Sequence, residues 1–234
     1  MTTIAVTFAL PAESSEFLRR LGNKTRADRN GISIIRSTID GRAIEILHTG
    51  VGKSICRERI GKFLENQQFA LLISAGFAGA LNYELQVNDV SVAKNFSTID
   101  LKQAQSLLSP VLIHPIDLLT VPAVIDSSEE RERIARESGA AAVDMETEFI
   151  AHACAAYGIP LLSLRVITDT PGEPFPAPAH VLFDIAKQRT NLAKLATFFL
   201  THPNRVPRLV QFARGITRAR KILASALVAV VREL

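Results

Sequence analysis

The chain of 234 residues is 47% hydrophobic with only two cysteines, enough apolar material for one sizeable core and too little cysteine for a disulfide-stapled scaffold. Its net charge of +4 is unevenly placed: from Pro203 onward seven basic residues face Glu233 alone, and the chain before Pro203 holds 20 basic against 22 acidic residues. No apolar run reaches the roughly 18 residues of a membrane span, the opening MTTIAVTFALPAESSEF lacks the basic start and cleavage site of a secretory leader, and Cys56 and Cys154 lack metal or redox spacing. These features lead us to expect a globular cytoplasmic protein without a metal or cofactor.

Thr3 to Leu10 is an apolar β-type run, and Pro11 followed by Glu13 and Glu16 suits a helix start, where proline needs no N–H partner and acids favour the dipole. Ile32 to Ile39 and Arg42 to His48 flank Asp40-Gly41, a favoured tight-hairpin dipeptide. The Gly50-Val51-Gly52 turn then leads into a helix ending near Gln68. Ala70 to Ala75 reads as a strand buried on both faces and closed by Gly76, and Val90 to Ala93 as a shorter one. Ser97 to Pro122 gives mixed signals. A charged helix around Ser127 to Ser138 precedes a strand, Ala140 to Asp144, and a helix, Met145 to Tyr157, closed by Gly158 and Pro160. Leu161 to Ile167 is again a buried-type strand, followed by the proline-rich loop Thr170 to Pro178. Strands alternating with helices predict an α/β domain with a central sheet covered on both sides, whose sites gather at the carboxyl ends of strands.

Several positions there carry two readings. Gly52-Lys53-Ser54 fails as a phosphate-binding loop, because Leu47 stands where that motif needs glycine. Gly50 and Gly52, and the run Gly76-Phe77-Ala78-Gly79, serve either tight turns or close approach of main chain to a ligand. Glu13 and Glu146 are either helix-start acids or carboxylates aimed at a ligand. Asp169, before Thr170-Pro171-Gly172, is either a turn initiator or an acid that protonates a leaving group. His48, His114, His152, His180 and His202 show no metal or triad pattern and are assigned no role.

Taken in order, Ala9-Leu10-Pro11-Ala12-Glu13, Thr49-Gly50-Val51-Gly52-Lys53, Ser74 to Leu81 with Val87-Asn88-Asp89-Val90, Val143-Asp144-Met145-Glu146, and Leu164 to Asp169 resemble the nucleoside phosphorylase and nucleosidase family. The resemblance is to its methylthioadenosine/adenosylhomocysteine nucleosidase branch. It implies a three-layer αβα fold with a mixed central sheet over residues 1–202, a homodimer, and cleavage of a purine base, adenine for preference, from ribose. It also implies roles: Glu13 activates water, Asp169 protonates the purine at N7, and Glu146 binds the ribose hydroxyls. Met145 would pack on the sugar, Phe77, Ala78 and Gly79 would border the anomeric carbon, and Val124 and Ile125 would lie beside the base. Phe77 departs from the family's small polar residue, and the stretch Ser97 to Pro122 is short. Phosphorolysis needs fixed donors for an anion, whereas residues 11–16 hold no arginine and Glu13 would repel phosphate. Hydrolysis is therefore the expected reaction, with phosphorolysis or a non-catalytic nucleoside- or lipid-binding module as the alternatives.

Residues 203–234 form a separate expectation. Arg208, Arg214, Arg218 and Lys221 interleave with Leu209, Phe212, Ile216, Ile222 and Leu223, as in an amphipathic basic helix. Such a helix either rests on anionic lipid or packs its apolar side on the domain. With the proline-rich loop, it resembles the hopanoid-associated members of the family, whose substrate is an adenosylated polycyclic lipid. A nucleic-acid partner is not expected, because Phe212 is the lone aromatic among these basic residues.

Overall fold

The computed structural model describes residues 3–109, 111–178, 181, 188 and 192–234; His180 lies outside them. Ten strands form one mixed sheet. Its spine runs through β1 (Thr3–Phe8), β4 (Arg42–His48), β5 (Phe69–Ala80) and β10 (Leu161–Asp169), all parallel. β2 (Thr25–Arg29) and β3 (Ile32–Ile39) extend it antiparallel beyond β4. On the far side β6 (Val90–Ala93) runs antiparallel to β10, and β7 (Ile113–Ile116) pairs with β6. β9 (Ala142–Asp144) pairs with the last residues of β5 and with β8 (Leu118–Thr120).

Alternate residues of the spine feed two apolar layers. Ile4, Val6, Leu71, Ile73, Leu162 and Leu164 pack beneath α1 (Pro11–Arg20), α3 (Leu101–Leu107) and α7 (Val206–Glu233). Ala5, Leu72 and Leu161 face α2 (Lys53–Leu64) and α5 (Thr147–Tyr157), whose Cys56, Ile60, Phe63, Ile150 and Cys154 close that side. Both cysteines are free and buried, and burial pushes each thiol up to about 12. The arrangement is the expected three-layer αβα sandwich.

Residues 203–234 comprise a 3₁₀ turn, Pro203–Arg205, and the long helix α7. The second half of α7 is integral to the core: Leu223, Leu227, Val230 and Val231 are at most 1% exposed. Its first half, through Arg218, holds no buried side chain. The short helix α6 (Leu192–Thr201) precedes it, and no helix among the described residues is long and apolar enough to cross a membrane.

Three local expectations are corrected. Gly76 does not close a strand: β5 runs on to Ala80, because β10 pairs with it as far as Gly79 and β9 takes up Gly79 and Ala80. Asp169 is the last residue of β10, rather than part of a turn. Met145 and Glu146 precede α5, with Glu146 as its N-cap at φ −134°, ψ −27°.

Candidate active site

The site lies where the carboxyl ends of β1, β5 and β10 meet the β9–α5 junction. Pro11 starts α1, so Glu13 falls in its first turn. Its Oε2 accepts a hydrogen bond from the Leu10 amide at 3.1 Å. The carboxylate lies over Gly76, where a Cβ would stand 3.7 Å from Oε1. Burial raises the Glu13 carboxyl above 4.5 and outweighs the lowering influence of backbone amides and of the Arg165 guanidinium.

Glu146 arrives from the opposite side. Its Oε1 accepts the Gly52 amide at 3.0 Å. Gly52 has φ 93°, and at Gly50, with φ 78°, a Cβ would meet Ile55 Cγ2 at 2.6 Å. Both glycines thus serve the tight-turn reading, with positive φ at each, and the Gly52 amide holds Glu146. Burial first, then the nearby Asp144 carboxylate, pushes Glu146 up to about 8.

Glu13 and Glu146 line one small cavity of about 10 Å³ together with Thr49, Ser74, Phe77 and Arg165, close to the space one water occupies. Its floor is a buried polar network that sequence reasoning did not assign. Arg165, at 3% exposure, donates to Asp144 Oδ2 at 3.0 Å, to the Ser74 carbonyl at 2.6 Å and to Ser74 Oγ at 2.9 Å. Asp144 also accepts the Thr147 amide at 3.1 Å and the Thr120 hydroxyl at 2.8 Å. An arginine inside the apolar run Leu161 to Ile167 is the signal that marks this network, since a buried charge persists only when paired and hydrogen-bonded.

Asp169 stands apart from that cavity, beside Gly79. Gly76 and Gly79 are three residues apart on β5, about 10 Å at strand spacing. Gly79 is required there, because a Cβ would meet Asp169 Oδ2 at 2.7 Å. Asp169 is ion-paired with Arg131 of α4 (Ser128–Ser138), and both side chains are almost wholly buried. Arg131 also donates to the Ala80 carbonyl at 2.7 Å and twice to the Ile125 carbonyl, at 2.9 and 3.2 Å. Burial raises the Asp169 carboxyl, and the Arg131 charge pulls it back. Arg131 was hidden among the charges of SEERERIARES; its signal is that it shares a helix face with Ile134 and Ala135.

The remaining expected site residues divide. Phe77 lines the carboxylate cavity. Ala78 is buried, Gly79 and Met145 are half-buried, and Val124 is exposed. Ile125 is buried in a cluster with Leu81, Ala140 and Val143, tied to Asp169 through Arg131. A larger cavity of about 460 Å³ is lined by none of the three acids, whereas the smaller one is lined by Glu13 and Glu146.

The family model described as the phosphorylase superfamily matches residues 3–114 and 101–201, and the chain belongs to that superfamily. Among solved structures it is similar to the 5′-methylthioadenosine/S-adenosyl homocysteine nucleosidase of Campylobacter jejuni, at 17% identity and a TM-score of 0.74 with all of both chains covered. It is also similar to a futalosine hydrolase mutant of Helicobacter pylori, at 16% and 0.73 with both chains covered in full. A third is the Streptococcus pneumoniae nucleosidase in complex with 8-aminoadenine, at 20% and 0.70, again over the whole of both chains.

Proposed function

We propose that the protein is a purine nucleoside N-glycosidase that hydrolyses the bond between the base, adenine for preference, and the ribose of an adenosine derivative. The observation that carries this reading is the convergence of Glu13 and Glu146 on one small cavity beside Gly76, with both carboxyls pushed upward by burial. Scission passes through an oxocarbenium-like sugar, so the base must leave neutral while a nucleophile approaches the other face. Glu13 takes a proton from water, and Glu146 accepts the ribose hydroxyls. Asp169, about 10 Å along β5, gives a proton to N7 of the purine. Its Oδ2 is held by Arg131, and its Oδ1 accepts a hydrogen bond from the Thr168 hydroxyl at 3.0 Å.

Base release from a panel of adenosine derivatives and inosine, with and without inorganic phosphate, tests the reading. Release independent of phosphate supports hydrolysis. Release that requires phosphate reassigns the protein as a phosphorylase, and nucleoside binding without release makes it a binding module.

Among adenosine derivatives, an adenosylated polycyclic lipid is the candidate that α7 favours. Val206 and Val210, 40% and 43% exposed, accompany the basic side chains Arg208, Arg214 and Arg218, and Leu200 of α6 is 82% exposed. Contact with anionic lipid would follow from apolar and basic groups presented together. Co-sedimentation with anionic liposomes should be strong for the wild type and reduced by Arg208→Gln with Arg214→Gln; equal partitioning would remove the membrane role. A homodimer is the assembly expected from the family resemblance.

A further inference from the structure

The turn between β4 and α2 carries the amide that holds Glu146, and glycine stands on both sides of Val51 in it. Gly50 and Gly52 take φ 78° and 93°. A peptide flanked by glycine rotates at little steric cost, so the direction of the Gly52 N–H has to be set from outside the turn. Gln188 sets it. Its side-chain oxygen accepts the Val51 amide at 2.6 Å, and its side-chain nitrogen donates to the Val51 carbonyl at 2.9 Å. One carboxamide, 137 positions away in sequence, thus engages both polar groups of a single residue. Gly50 leaves room for it, since a Cβ there would stand 3.3 Å from the Gln188 oxygen.

The second of these bonds reaches the site. The Val51 carbonyl and the Gly52 N–H belong to one planar trans peptide and point in opposite directions. A carbonyl fixed on Gln188 therefore aims the N–H, which donates to Glu146 Oε1 at 3.0 Å. Bonds chained through one peptide also polarise each other where water is excluded, and Glu146 is buried. Gln188 itself is held at φ 52°, a left-handed backbone that side chains other than asparagine and aspartate rarely adopt. Such a conformation persists where surrounding contacts over-determine it, and the paired bonds to Val51 are contacts of that kind.

We infer that Gln188 is a positioning residue for ribose binding: through the Val51–Gly52 peptide it orients the donor that keeps Glu146 in place as an acceptor of the sugar hydroxyls. This rests on the N-glycosidase reading of the site. A donor held against a carboxylate favours its charged form, and the Gly52 amide works against the rise that burial causes in Glu146. The other groups that face Glu146 are Asp144 of β9, Glu13 of α1, Arg165 of β10 and the Cys56 thiol of α2. A substitution at position 188 leaves all four in place.

Carbon-13 NMR titration of the glutamate carboxyls, with the Glu146 signal assigned by its loss in Glu146→Gln, reads this link without any substrate. Gln188→Met fills the space and forms neither bond. Gln188→Asn suits the left-handed backbone but is one carbon shorter and loses its reach to Val51, so it removes the link without adding strain. In each variant the Glu146 midpoint should stand about one pH unit above that of the wild type, the worth of a hydrogen bond to a charged group. The Gly52 amide should exchange hydrogen about tenfold faster, while Ile60 within α2 keeps its rate. KM at pH 7 should rise about tenfold in Gln188→Asn with kcat little changed, and the gap should close as pH rises. A Glu146 midpoint in Gln188→Asn equal to that of the wild type overturns the inference, as does a KM raised equally at every pH. If Gln188→Met does not fold, Gln188→Asn decides alone. Should no nucleoside release its base, the nucleosidase reading fails on its own, and the titration still decides whether Gln188 acts on Glu146.

Discussion

Replacing Glu146 by Gln keeps an oxygen to accept the Gly52 amide and removes the ionisable proton. In the folded protein burial, Asp144 and Glu13 push this carboxyl from 4.5 to about 8. Between those values the folded state holds a proton that the unfolded chain has released. The favourable contribution is thus complete below pH 4.5, falls as pH rises, and is gone above about 8. At about 1.4 kcal/mol per pH unit the ceiling is about 5 kcal/mol, and water entry and coupling to Glu13 should reduce it to about 2 kcal/mol. Denaturant unfolding at a series of pH values reads the difference directly. The wild type should lose about 2 kcal/mol more than Glu146→Gln between pH 5 and pH 8. Parallel stability curves for the two proteins would refute the reasoning. On the proposed role of Glu146 as acceptor of the ribose hydroxyls, which donate to its charged form, KM should fall as pH rises toward about 8 in the wild type and stay flat in the variant.

Glu13→Gln and Asp169→Asn should each lower kcat by about 10²- to 10⁴-fold with unchanged circular dichroism; wild-type turnover in either removes its assignment. Arg131→Met leaves the buried Asp169 without its cation and should cost about 3 to 5 kcal/mol, with the alkaline limb of kcat/KM, where the proton donor is lost, moved to higher pH. Thermal melts and the pH profile check the two parts separately. Gly79→Ala drives a methyl against Asp169 Oδ2 and should cost about 1 to 3 kcal/mol and depress kcat more than it changes KM. Deleting residues 203–234 removes Leu223, Leu227, Val230 and Val231 from the core, on the order of 8 kcal/mol of burial. The truncated chain should fail to give a cooperative melt.

The hairpin at Asp40-Gly41 was legible because the two residues take φ 48° and 82°, values that this dipeptide tolerates and most others do not. The helix from Ser128 was legible through Ser127, whose hydroxyl accepts the Glu130 amide at 3.2 Å. β2 left no trace in the sequence, since Thr-Arg-Ala-Asp-Arg is a polar edge strand whose only partner among the described residues is β3. The continuation of β5 through Gly76-Phe77-Ala78-Gly79 was hidden for a different reason: two glycines read as a turn, and only pairing with β10 and β9 keeps them extended. At the site, the motif residues Glu13 and Glu146 were readable one by one, but their meeting depends on the sheet order that sets β1 beside β5. Arg131 and Arg165 illustrate what local patterns omit. Each is a buried cation whose partners, Asp169 and Asp144, are distant in sequence, so its role exists only in three dimensions.

The most direct test of the account is to incubate the protein with a 5′-substituted adenosine in phosphate-free water enriched in oxygen-18 and to weigh the products. Hydrolysis at the site of Glu13, Glu146 and Asp169 predicts free adenine and a ribose derivative carrying one heavy oxygen at C1, both lost in Glu13→Gln. An intact nucleoside after prolonged incubation, or cleavage that persists undiminished in Glu13→Gln, would contradict it.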